Sequence, residues 1–169
     1  RTGVKPDPTK VAAIAAMPIP DTLKKLRGFL GAANFLRKFI PRFAEITTPL
    51  RPLLRKGAFR STFNEDQLSA IEQLKKALTT APVLVHPDWE RPFEIHADCS
   101  PTALGAAPLQ RNDAGELQVV SYLSKALNEV QVNYAHHERE ALAVLYALET
   151  WRTYVLGTRT VIWTDSEAV

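Results

Sequence analysis

The strongest constraint on the fold is a change of hydrophobic period at Pro82. Before it, apolar residues recur at helical spacing; after it, they fall in short alternating runs bounded by turn residues. In "DPTKVAAIAAMPIP", Pro8 opens a helix and Pro18 stops it. Asp21 or Thr22 then caps a long helix to about Ile40, Pro41 interrupts it, and "RFAEITTPLRPLLRKG" reads as a shorter helix ending at Gly57. "NEDQLSAIEQLKKALTTAP" is an amphipathic helix capped by Asn64, with Leu68, Ile71, Leu74 and Leu78 on one face. Beyond Pro82, "RPFEIHADCS", "ALGAAPLQ" and "LQVVSYLS" predict three strands, the last two joined by a turn at "NDAG". A helix from about Asn133 to Tyr154 stops near Gly157 and yields to a fourth strand, "TRTVIWTDS". The expected fold class is α+β, with the helices first.

Composition excludes several classes of protein. At 169 residues and 46% hydrophobic, the chain can bury a core and is not disordered. No apolar run approaches the roughly 18 residues of a membrane span, and "RTGVKPDPTK" lacks a signal-peptide pattern. The single cysteine, Cys99, can form neither an internal disulfide nor a multi-cysteine metal site, and the histidines, including the adjacent His136 and His137, lack zinc-site spacing. An intracellular setting, cytoplasmic or nuclear and with no membrane partner, is expected.

Charge also divides the chain, at about Arg60, ahead of the change of period. Thirteen Lys and Arg stand against three acidic residues up to Arg60, a net +10, and eight stand against fifteen beyond it, a net −7, together giving the chain's +3. A basic segment of this kind suits a polyanion; a solvated basic face is the plainer alternative.

In the acidic part, Asp98 follows the strand "FEIHA", Glu140 lies on the long helix and Asp165 ends the strand "VIWT". If the two strands are neighbours and the helix crosses over them, the three side chains converge at one end of the sheet. Carboxylates so gathered either repel one another or hold a hard divalent cation such as Mg²⁺, and two such ions suit phosphodiester hydrolysis. Ordinary surface acids would give the same residue types.

Two longer stretches carry a resemblance. "FEIHADCSPTALGAAPLQ", "VVSYLSKALNEVQVNYAHHEREALAVLYALETWRTYVLG" and "TVIWTDS" resemble the ribonuclease H region of reverse transcriptases from gypsy-type long-terminal-repeat retrotransposons and retroviruses. "GVKPDPTKVAAIAAMPIPDTLKKLRGFLGAANFLRKFIPRFAEITTPLRPLL" and "FNEDQLSAIEQLKKALTTAPVLVHPD" resemble the thumb and linking segment that precede it. The resemblance implies a helical thumb/linker region over 1–86 and a ribonuclease H-like domain over 87–169. In the latter it implies a mixed sheet of order 3-2-1-4 with strands 1 and 4 parallel, crossed by a helix. Asp98, Glu140 and Asp165 match the catalytic, metal-binding carboxylates, whereas Glu138 points elsewhere. The implied partner is an RNA–DNA hybrid or another nucleic-acid duplex, and the implied cofactor is Mg²⁺ or Mn²⁺.

The same resemblance accounts for two glycines in the interior of the helix "LRGFLGAANFLRKFI", each costing about 1 kcal/mol relative to Ala. A thumb helix lies along the minor groove. Arg27, Gly31 and Phe35 share a face, flanked by Lys24, Gly28, Asn34 and Lys38, so glycine would admit sugars while the basic residues meet phosphates. Leu23, Leu26, Leu30, Ala33 and Ile40 would face the helical core. Close helix packing is the other explanation for the glycines.

Departures from the family set further expectations. The polymerase aspartates precede this chain, and the final strand, the fourth carboxylate and a histidine-bearing loop would follow Val169. A C-terminally truncated sheet would leave strand 4 as an open edge for a protein partner or a second copy, and a three-carboxylate site would hold its ions weakly. Pro108, inside the second strand, removes a ladder donor and suggests a bulge or relaxed pressure on the sheet. Two functions follow: a fragment that binds hybrid and cuts its RNA strand, or a catalytically silent nucleic-acid-binding or structural module.

Overall fold

The computed structural model describes residues 3–165. Helix α1, Pro8–Ala15, begins where the Asp7 carboxylate accepts the Thr9 amide. Helix α2, Leu23–Phe35, begins where the Thr22 hydroxyl accepts the Lys25 amide at 3.2 Å. It ends five residues before the expected Ile40 and passes into a 3₁₀ turn, Arg37–Phe39. The cause is Pro41, whose ring disfavours a helical residue before it; Ile40 is accordingly extended.

The shorter helix expected up to Gly57 also divides. Helix α3, Phe43–Ile46, is followed by a 3₁₀ segment, Thr48–Leu54, because Pro49 and Pro52 remove amide donors that an α-helix would use. Gly57 then turns the chain at φ 75°. Helix α4, Glu65–Thr79, opens with a reciprocal cap: Asn64 accepts the Gln67 amide at 2.9 Å and Gln67 accepts the Asn64 amide at 3.1 Å. These helices close on a core whose fully buried members include Leu26, Phe29, Ile40, Leu50, Ile71, Leu74 and Leu78. Each such side chain contributes about 1.5–3 kcal/mol of transfer free energy.

The sheet has five strands: β1 Phe93–Cys99, β2 Ala103–Arg111, β3 Leu117–Val119, β4 Leu123–Ala126 and β5 Thr160–Trp163. Its order is β3-β2-β1-β5, with β4 also paired to β2, so the expected order of 3-2-1-4 holds with β5 as the fourth strand. β1 and β5 are parallel, in register from Phe93 with Thr160 to His96 with Trp163. A parallel pair requires a crossover, supplied here by α5, His136–Thr150, and the short α6, Arg152–Val155.

The third expected strand, however, is broken in two. Leu109 pairs with Val119 and Ala106 with Leu123, so three steps on β2 face four on the opposite strand, which is a bulge. Its position follows from Pro108. The Pro108 carbonyl accepts the Val120 amide at 2.9 Å, so the nitrogen that lacks a hydrogen faces the same interrupted strand. The bulge turns backbone toward the helical region instead: Tyr122 donates its amide to Lys38 O and Val85 donates to Val119 O.

On one face of the sheet, Ile95, Ala97, Leu104, Ala106 and Leu123 form a second core with Ala143, Ala147 and Trp151 of the crossover. Glu140, Ala143 and Ala147 make the buried stripe of α5, and His136 lies one turn ahead of Glu140 on that side. The small side chains let α5 sit close to the strands and set the depth of Glu140. Ala143→Leu should therefore cost about 1–3 kcal/mol through overpacking, read as a lower urea midpoint.

Candidate metal and nucleic-acid site

The sheet topology carries the carboxylates together. Asp98 lies two residues beyond His96 and Asp165 two beyond Trp163, so the registered parallel pair delivers both aspartates to the same end of the sheet. Glu140 reaches that end from α5. Oxygen atoms of Asp98, Glu140 and Asp165 all lie within 4.8 Å of one another.

Glu140 is fully buried, which is costly for a carboxylate unless its oxygens are satisfied. One oxygen accepts the Cys99 amide at 2.9 Å and the other accepts the Thr164 hydroxyl at 2.8 Å. Both donors adjoin the aspartates in sequence, so the bonds that hold Glu140 also fix the ends of the two strands. Asp98 and Asp165 are exposed. Burial, and then repulsion from Glu140 and Asp165, pushes the Asp98 carboxyl above the usual aspartate range, opposed by the Cys99 amide and the Arg42 guanidinium. Burial and the Glu140 carboxylate push the Cys99 thiol up to about 12, so it stands protonated beside the cluster. Glu138 lies outside the site: its carboxylate accepts the Ala135 amide at 2.8 Å at the start of α5.

The residues singled out on α2 and the 3₁₀ turn after it form one exposed face. Lys24, Arg27, Gly28, Gly31, Asn34, Phe35 and Lys38 are all solvent-exposed, and Leu26, Phe29, Ala33, Leu36 and Ile40 are buried opposite. Leu23 and Leu30, expected in the core, are only half-buried because they border this face. A Cβ added at Gly28 or Gly31 would meet nothing within 4 Å. No neighbouring helix occupies the space, so close packing within the described residues does not account for the glycines. Phe35 is 69% exposed, and the Lys10 ammonium of α1 lies 4.6 Å from its ring centroid.

Sequence reasoning missed Thr164, Cys99, His136 and Arg42 as neighbours of the site. Thr164 and Cys99 are recoverable, since one precedes Asp165 and the other follows Asp98. The meeting of Cys99 with His136 and the approach of Arg42 are not. His136 meets Cys99 across 37 residues, and Arg42, the one described non-glycine residue with positive φ, at 56°, comes from the helical region.

A mixed sheet with carboxylates at the end of a parallel pair and a crossover helix behind them is the ribonuclease H-like arrangement. The model of the RNase H-like domain found in reverse transcriptase matches residues 63–162. The chain belongs to this family. It is 38% identical over 165 residues to the retrovirus-related Pol polyprotein from transposon 297 of Drosophila melanogaster, covering 98% of this chain and 15% of the polyprotein. It is also 38% identical over 139 residues to the transposon Tf2-3 polyprotein of Schizosaccharomyces pombe, covering 82% of this chain and 10% of that protein. Thus it spans only a small part of these relatives. Among solved structures, the foamy viral protease-reverse transcriptase in complex with RNA/DNA hybrid superposes with a TM-score of 0.77 at 25% identity, covering 95% of this chain and 22% of that one. The foamy viral protease-reverse transcriptase dRH in complex with double-stranded DNA gives 0.81 at 24% identity, covering 95% and 28%, a likeness of fold.

Two outcomes follow from the site's geometry. Asp98 is harder to ionise in the folded chain than in the unfolded one, so its charge subtracts stability as pH rises through the aspartate range, fully so above its raised pKa. Asp98→Asn should consequently raise the urea midpoint at pH 7, with the gain shrinking as the pH falls from the raised pKa through the ordinary aspartate range and absent below it. Gly28→Ala and Gly31→Ala should each stabilise the chain by about 0.4–1 kcal/mol in thermal unfolding, since open space receives the new methyl group.

Proposed function

We propose that this chain grips an RNA–DNA hybrid with its basic helical region, residues 1–86, and cuts the RNA strand at Asp98, Glu140 and Asp165 of residues 87–169. The single observation that carries the reading is the convergence of three carboxylates at one end of a parallel strand pair. Three anionic oxygens that repel one another, two of the side chains open to solvent, suit a hard divalent cation such as Mg²⁺ or Mn²⁺. When bound, such ions supply Lewis-acid stabilisation and an activated water for phosphodiester hydrolysis. The chain's own residues divide the remaining work. Glu140 is anchored by the Cys99 amide and the Thr164 hydroxyl and fixes one side of the site; Asp98 and Asp165 face the solvent from which a duplex approaches.

The exposed face of α2 supports the gripping half of the reading. Gly28 and Gly31 leave the backbone open to close approach by sugars, in the manner of a reverse-transcriptase thumb, with Phe35 packed against them. Lys24, Arg27 and Lys38 meet phosphates, and Asn34 completes the surface. This contact would carry little sequence information.

Hybrid affinity should fall steeply with salt, and Arg27→Glu with Lys38→Glu should weaken it alike on unrelated sequences while reducing the salt slope by about 1 per lost phosphate contact. Unchanged affinity in that double variant would remove α2 from the interface. For the chemistry, hybrid cleavage should require a divalent ion, run better in Mn²⁺ than in Mg²⁺, and disappear in Asp98→Asn. Robust cleavage by Asp98→Asn would place the active site elsewhere. A chain that binds hybrid in a salt-dependent manner but never cuts it would be the silent binding module.

A further inference from the structure

The α5 face that delivers Glu140 also delivers His136, and the last residue of β1 is Cys99. The Cys99 sulfur lies 3.6 Å from His136 Nδ1. Ligand atoms of Cys99, His136 and Glu140 all lie within 4.8 Å of one another. Cys99 is half-buried and His136 exposed, so solvent ions reach both.

This trio differs in kind from the carboxylate cluster. A sulfur, an imidazole nitrogen and one carboxylate suit a borderline-soft ion, whereas Mg²⁺ prefers oxygen alone. The spacing agrees. With Zn–S of about 2.3 Å and Zn–N of about 2.1 Å at the tetrahedral angle, a thiolate and an imidazole on one zinc ion stand about 3.6 Å apart. We propose that Cys99, His136 and Glu140 form a second cation site, selective for Zn²⁺-like ions and adjoining the carboxylate cluster.

On binding, the Cys99 S–H bond breaks, its proton passes to solvent, and the sulfur donates the freed electron pair to the metal. His136 donates its Nδ1 lone pair as the neutral ring protonated on Nε2, and Glu140 donates from one oxygen. Three protein ligands leave a fourth tetrahedral position for water. Glu140 belongs to both sites, so a soft ion drawn toward Cys99 and His136 takes this carboxylate from the hard-ion cluster. That consequence rests on the proposed function; the binding itself does not.

Co²⁺ is the probe, since a thiolate on tetrahedral Co²⁺ gives a near-ultraviolet charge-transfer band that oxygen ligands do not. Titration of the wild-type chain should produce the band, Cys99→Ser should abolish it, and His136→Gln should weaken Co²⁺ affinity by about tenfold or more. Asp98→Asn should keep it. His136 is exposed at the start of α5, so its variant reports on binding without testing the core. No band in the wild type, or a band of unchanged affinity in His136→Gln, would overturn the site. Zn²⁺ should displace Co²⁺ and erase the band, while excess Mg²⁺ should weaken it through Glu140. A band that persists in a chain showing no hybrid cleavage in Mn²⁺ or Mg²⁺ would support this site and count against the carboxylate reading. Cleavage without a band would do the reverse.

Discussion

The arrangement of the sheet end depends on one buried carboxylate. Glu140 is fully enclosed, and its two hydrogen bonds reach the residue after Asp98 and the residue before Asp165. A buried charge is tolerated only with such partners, and withdrawing one would leave the other exposed to the full desolvation cost. The bonds consequently act as a clasp between β1, α5 and the segment following β5. Fold and candidate site are thus one construction, since the interactions that make Glu140 affordable also bring the three carboxylates together.

Much of this was legible in the sequence because the signals were local and strong. The Asn64 cap with Gln67, the alternation through "FEIHA", the "NDAG" turn and the α5 period each specify an element by short-range chemistry. Where the reading overran, proline was the cause. Pro41 ended α2 early, Pro49 and Pro52 turned a helix into a 3₁₀ segment, and Pro108 broke one expected strand into β3 and β4. The effect of Pro108 was foreseeable in kind, but the pairing count that places the bulge exists only once β2 has found its neighbours.

The site was legible to a different degree. Asp98, Glu140 and Asp165 were nameable because resemblance and strand ends agreed, and the structure brings them within reach of one another. The meeting of Cys99 with His136 has no counterpart in sequence spacing, because β1 and α5 meet only through the crossover. Likewise, apolar periodicity marked the buried side of α2, but only the folded chain reveals that Gly28 and Gly31 face empty space. Gly28 and Gly31 thus leave a stretch of α2 backbone that no described neighbour covers.

The most direct test of the central claim is crystallographic: crystals grown with Mn²⁺, with anomalous scattering locating the ion. The account predicts a peak among the carboxylates of Asp98, Glu140 and Asp165, with Glu140 still held by the Cys99 amide and the Thr164 hydroxyl. Ordered but separated carboxylates with no peak between them, at Mn²⁺ concentrations that support hybrid cleavage, would contradict it.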